Sequence, residues 1–101
     1  MSDETGPSPA LSPGGRPKLQ SFVRLHYDGT RERWVIQAPE RVLELNETSK
    51  EIVVLCSGER SVGEIVDRLI AVYDAPRDVI AHDVASVLQD LSDKGVLVIE
   101  A

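Results

Sequence analysis

Between residues 22 and 46 apolar and polar positions alternate. Val23, Leu25 and Tyr27 alternate with Arg24 and His26, the two-residue period of a strand covered on one face. Asp28-Gly29, within DGTRE, is a hairpin signal. The run RWVIQA then sets Trp34 and Ile36 on one face. After Pro39-Glu40, the run RVLELN alternates Leu43 and Leu45 with Val42 and Glu44. Proline has no N–H for a ladder, so Pro39 belongs at a strand end or an edge. The pattern predicts three short strands.

Beyond Asn46 the period changes to that of helices. Asn46 caps a first helix over roughly residues 47–57, with Ile52, Val53, Leu55 and Cys56 as its apolar members. Gly58 stands where a left-handed C-terminal residue is wanted. Ser61-Val-Gly-Glu64 is a capping box. It opens a helix striped by Val62, Ile65, Val66, Leu69, Ile70 and Tyr73. Pro76 suits the first position of a third helix, whose apolar residues are Ile80, Val84, Val87, Leu88 and Leu91 and which Gly95 ends. The final VLVIE run is predicted to add a short strand or to pack under the helices.

Residues 1–21 interrupt this order. They are rich in Pro, Gly and Ser and offer too little apolar surface to offset the entropy of ordering. They are expected to be a disordered tail or linker, with the domain at 22–101. The charges of this segment cancel, Asp3 and Glu4 against Arg16 and Lys18, so the net charge of −6 sits on the domain. A chain of 101 residues is one domain at most, and with 42 % hydrophobic but only 4 % aromatic residues its core is aliphatic. The acidic balance weighs against nucleic acid, whose binders carry a basic patch, and against anionic membranes. No apolar stretch has the length of a membrane span, and no signal-peptide h-region opens the chain. The expectation is a cytoplasmic monomer without a membrane or nucleic-acid partner.

Candidate chemistry is sparse. His26 and His82 lack the spaced Cys/His companions of a metal site. Cys56, the single cysteine, has apolar neighbours and reads as a small core residue. No phosphate loop, dinucleotide fingerprint or nucleophile elbow is present. The expectation is a non-catalytic protein with no metal and no cofactor. Three strands followed by three helices read as an α+β, winged helix-turn-helix-like fold, an antiparallel N-terminal sheet preceding a three-helix bundle. Such a fold often binds DNA, but fold alone does not settle function. The third helix carries Arg77 and Lys94 against Asp78, Asp83, Asp90 and Asp93, a poor phosphate reader. On a helical wheel, Ile80, Val84, Val87 and Leu91 form its centre line, Ala81, Ala85, Leu88 and Ser92 a mostly small flank, and Val79, Asp83, Asp90 and Asp93 an acidic flank on the other side. Two readings stay open for the small flank: tight packing on the protein's own strands, or a groove wall facing the third strand.

Several segments at consistent spacing, RLHYD, RERWV, APERV, the helix start after Asn46 and LQDLSDKGVL, resemble the pyrroloquinoline quinone (PQQ) biosynthesis protein D family, PqqD, over about residues 24–97. The resemblance implies a peptide chaperone and recognition element for ribosomally made, post-translationally modified peptides (RiPPs). It would bind the precursor peptide PqqA and present it to the radical S-adenosylmethionine enzyme PqqE. Some members are fused to PqqC, and residues 1–21 would suit a former linker. In related recognition elements the leader peptide extends the sheet between the third strand and the third helix. On that footing the expected peptide-binding residues are Arg41, Val42, Leu43, Glu44 and Leu45 on the strand, and Arg77, Ala81, Val84, Ala85 and Leu88 on the helix. The alternatives are a winged-helix nucleic-acid-binding or co-regulator domain, tested by salt-sensitive DNA binding, and a small enzyme or PQQ carrier, for which the residues supply no site.

Overall fold

The computed structural model describes residues 14–100. It is an α+β fold with two antiparallel sheets and three helices. Strand β1 (Arg16–Leu19) opens the described chain. Strands β2 (Arg24–Asp28), β3 (Arg33–Ala38) and β4 (Arg41–Leu45) follow. Helices α1 (Glu47–Val54), α2 (Val62–Val72) and α3 (Arg77–Asp93) come next, and β5 (Leu97–Glu100) closes it. The three predicted strands form one sheet in the order β2-β3-β4, leaving β2 and β4 as its edges.

The sequence reading differs from the structure in the segment expected to be a tail. Most of that segment, residues 1–13, lies outside the described residues. Arg16–Leu19, however, is a strand paired with β5, in register from Arg16 opposite Glu100 to Leu19 opposite Leu97. Composition hid it because Pro17 and Gly15 read as linker residues. Here Pro17 is fully buried, and the carbonyls of Gly15 and Pro17 accept from the N–H groups of Val62 and Gly58 at 2.8 and 2.9 Å. A proline suits a strand whose N–H is not called upon. Gly58 has φ 86 and lies so close to Lys18 that a Cβ would stand 3.1 Å from its Cδ. The backbone conformation favours glycine there, and the space is tight.

The helix ends follow their local chemistry. The Asn46 side chain accepts from Ser49 N–H at 2.8 Å, and Ser61 and Glu64 complete a reciprocal capping box. Helix α1 is shorter than predicted, because Leu55 already has its C-cap conformation. Pro76 is the N-cap of α3 rather than its first helical residue. The β2–β3 loop falls within the expected DGTRE turn. It spans residues 29–32, is held by Asp28 Oδ1 accepting from the N–H groups of Thr30 and Arg31, and places Glu32 in the left-handed region at φ 56.

The core lies between the sheet and the helices. Ile36 from β3, Ile52 from α1, Ile65 from α2, Val84 and Leu88 from α3, and Val96 and Leu97 near the end are almost wholly buried. Each such aliphatic side chain contributes about 1.5–3 kcal/mol of transfer free energy. Among the described residues no polar or charged residue is buried. At the open end of the sheet Trp34 packs edge-on against Tyr27, ring centroids 5.3 Å apart, and the Lys50 ammonium of α1 lies 5.2 Å from the Trp34 ring. The Lys50 contact links α1 to β3.

Candidate functional site

Strand β4 pairs with β3 on one side only. A two-residue loop, Pro39-Glu40, joins the two strands, and Ala38 stands opposite Arg41. The pair that closes such a hairpin is the hydrogen-bonded kind. Along an antiparallel ladder bonded and non-bonded pairs alternate. The main-chain groups of Arg41, Leu43 and Leu45 therefore point to β3, and those of Val42 and Glu44 point away from it. Among the described residues no other backbone group pairs with Val42 or Glu44. The edge thus offers two N–H and two C=O groups to an added strand.

What faces this edge is α3. A cleft of about 230 Å³ is lined by Val42, Leu43, Glu44, Leu45 and Ser49 on one side and by Val87, Asp90, Leu91 and Lys94 on the other. It runs on into a hollow of about 260 Å³ lined by Asn46, Thr48, Ser49, Asp83, Ser86 and Val87. Ser49 and Val87 belong to both. At the opposite end the Arg41 guanidinium crosses from the strand and donates to the carbonyl of Lys94 at the end of α3. The Lys94 ammonium is held by both carboxylate oxygens of Asp90 at 2.7 Å. Past Arg41 a larger hollow of about 490 Å³ surrounds the hairpin tip, with Phe22, Pro39 and Val96 in its wall.

The strand residues singled out from the sequence all belong to this edge. Val42 is 52 % exposed. Leu43 and Leu45 are half-buried, with their inner sides on the core and the rest in the cleft. Glu44 is exposed and bonded to Arg31 at 3.1 Å and Arg33 at 3.2 Å. Arg41 spends its side chain on Lys94.

The helix residues singled out do not line the cleft. Val84 and Leu88 are fully buried in the core. Ala81 packs half-buried against it, and Ala85 is half-buried too. Arg77 sits at the start of α3, ion-paired with Asp67 of α2 at 2.6 Å. The reason is a rotation of the helix. Ile80, Val84, Leu88 and Leu91 are its buried residues, and at about 100° per residue they centre roughly 25° from the expected line, toward the small flank. Leu88, the bulkiest residue of the small flank, is drawn inward. The acidic flank then turns to β4, and Asp83, Ser86, Val87, Asp90 and Lys94 become the wall. Of the wall residues the sequence reading names only Val87 as apolar, and as a core position; it packs half-buried against the core and also lines the cleft.

Reactive chemistry is absent from the edge. Among the described residues no three metal-ligating side chains cluster. Cys56 is buried, its thiol donates to the Ile52 carbonyl at 3.2 Å, and burial pushes its pKa from 9.0 up to about 12. It is a protonated core thiol. Among the described residues no helix is long and apolar enough to cross a membrane. What the edge can do is bind an extended chain through its backbone and enclose alternate side chains against α3.

Comparison with known proteins agrees with that capacity. A PqqA binding protein of Bradyrhizobium diazoefficiens is 53 % identical over 88 residues, covering 87 % of this chain and 85 % of the relative. One from Gluconobacter oxydans is 43 % identical over 74 residues, 73 % of this chain and 77 % of the relative. Among solved structures, the chain resembles the PqqD truncation of Methylobacterium extorquens PqqCD, a functional, stand-alone RiPP recognition element. The two are 34 % identical with a TM-score of 0.70 over 80 % of this chain and 86 % of that one. TbiB1, solved with the TbiA(beta) leader peptide, shares the fold at 22 % identity, with a TM-score of 0.69 over 79 % of this chain and 93 % of that one. The family model of coenzyme PQQ synthesis protein D matches residues 33–97, and the chain belongs to the PqqD family.

Proposed function

We propose that this protein is a peptide chaperone of PQQ biosynthesis, which binds the precursor peptide PqqA as an added strand on β4 and presents it to the radical S-adenosylmethionine enzyme PqqE. The observation that carries the reading is the unpaired edge of β4 facing α3 across a cleft, in a chain whose relatives are named PqqA binding proteins. Val42 and Glu44 supply the main-chain bonds. Leu43, Leu45, Val87 and Leu91 supply the apolar contact. Each backbone bond adds only about 0.5–1.5 kcal/mol net, while the guest loses conformational entropy. The apolar contacts must therefore carry much of the selectivity.

The reading makes the protein a cytoplasmic, non-catalytic partner, and its three-stranded sheet beside three helices supports a winged-helix-like description. PqqC is a further associate, since a relative of known structure was cut from a PqqCD chain. The test is a titration of the labelled protein with synthetic PqqA, followed by amide shifts. Residues 42–45 and 87–91 are expected to move together, and addition of PqqE to broaden the same set. Shifts confined to β2, with β4 and α3 still, sink the strand-addition mode.

A further inference from the structure

The hollow that continues the β4 cleft differs from it in kind. Of its six lining residues, Asn46, Thr48, Ser49 and Ser86 are neutral and polar, Val87 is apolar, and Asp83 alone is charged. The neighbouring cations are engaged elsewhere. Lys94 is bound to Asp90, Lys50 lies beside Glu51 and Glu47, and Arg77 is paired with Asp67. Among the described residues no Lys, Arg or His nitrogen lies within 4.0 Å of the Asp83 carboxylate. The other two acids of the groove are already answered, Glu44 by two arginines and Asp90 by Lys94. An open carboxylate flanked by hydroxyl acceptors is complementary to a donor-only cation, an ammonium or a guanidinium.

We propose that Asp83 reads a lysine or arginine side chain of the guest peptide, just beyond the segment that pairs with β4. This rests on the reading of the β4–α3 cleft as the peptide groove. The hollow lies past Leu45, at the end of the groove away from Arg41. One end is thereby closed by a protein cation and the other carries an unanswered anion. That asymmetry gives the added strand a preferred direction and register, which backbone bonding alone does not fix.

Calorimetric titration of the full chain with synthetic PqqA, at low and high salt, tests this with Asp83→Asn, Asp83→Lys and, as a control for net charge, Glu59→Gln on an exposed loop. An exposed or half-exposed ion pair sets the scale. Asp83→Asn is expected to weaken binding about two- to fivefold at low salt, Asp83→Lys by more, and Glu59→Gln by less than about 1.5-fold. The loss shrinks at high salt. A series of PqqA peptides with each Lys or Arg replaced by Gln identifies the partner. The matching replacement is costly against the wild-type protein and without further effect against Asp83→Asn. Wild-type binding with Asp83→Asn indistinguishable from Glu59→Gln overturns the inference and leaves the groove reading standing. Failure of the wild type to bind PqqA overturns both.

Discussion

Cys56 shows how a residue's surroundings decide its chemistry. Desolvation raises its folded pKa to about 12 from 9.0, so the folded state holds the proton more tightly than the unfolded chain. The stability this represents is complete below pH 9 and is lost as pH rises from 9 toward 12. Thermal unfolding from pH 8 to 11 is expected to show a steeper fall for the wild type than for Cys56→Ala, by up to about 1.4 kcal/mol per pH unit, and a disulfide reagent is expected to label the thiol only on unfolding. Glu32 carries a different local cost. A non-glycine residue at φ 56 sits about 1–2 kcal/mol above right-handed backbone, and glycine forfeits part of that gain through its freer unfolded chain. Glu32→Gly is therefore expected to stabilise the hairpin by about 0.5 kcal/mol in urea unfolding. Neither feature was fully readable beforehand. Apolar neighbours marked Cys56 as buried, whereas the DGTRE turn advertised Asp28-Gly29, and the left-handed position fell three residues later because Asp28 bonds the loop from its start.

Single prolines separate the two sides of β4 at the scale of the element. At position 42 the lost N–H faces the open edge; at position 43 it faces β3. Val42→Pro is expected to keep the melting temperature within a few degrees while PqqA affinity drops about tenfold. Leu43→Pro breaks the ladder and is expected to cost about 3 kcal/mol or more. Helix α3 gives the parallel contrast. Leu88→Ala opens the core at a cost of about 2–5 kcal/mol, whereas Val87→Ala, at the half-buried margin of the core, costs less in unfolding and weakens the guest. The three strands between residues 22 and 46 and both side-chain capping motifs were legible, because each depends on neighbours in sequence, whereas the edge role of the third strand came from the family resemblance. The face that α3 turns to β4 was not legible. Its apolar residues cover both candidate directions, and only packing against Ile36, Ile52 and Ile65 chooses between them.

The whole molecule is closed by a pairing that no local pattern reveals. Strands β1 and β5 come from opposite ends of the described chain, and a Pro/Gly-rich composition concealed the first of them. A chain beginning at Phe22 loses that strand and the bonds from Gly58 and Val62 to it. Its urea midpoint is expected to fall well below that of a chain beginning at Gly14. With Arg16 directly across from Glu100, entry and exit lie about 5 Å apart. A second protein joined by a short tether before Arg16 or after Glu100 would hang from the same spot and sweep the same volume. Its local concentration at β4 would then depend on tether length and not on the order of fusion. Joining Arg16 to Glu100 through a short loop and opening the described segment elsewhere should likewise preserve the fold.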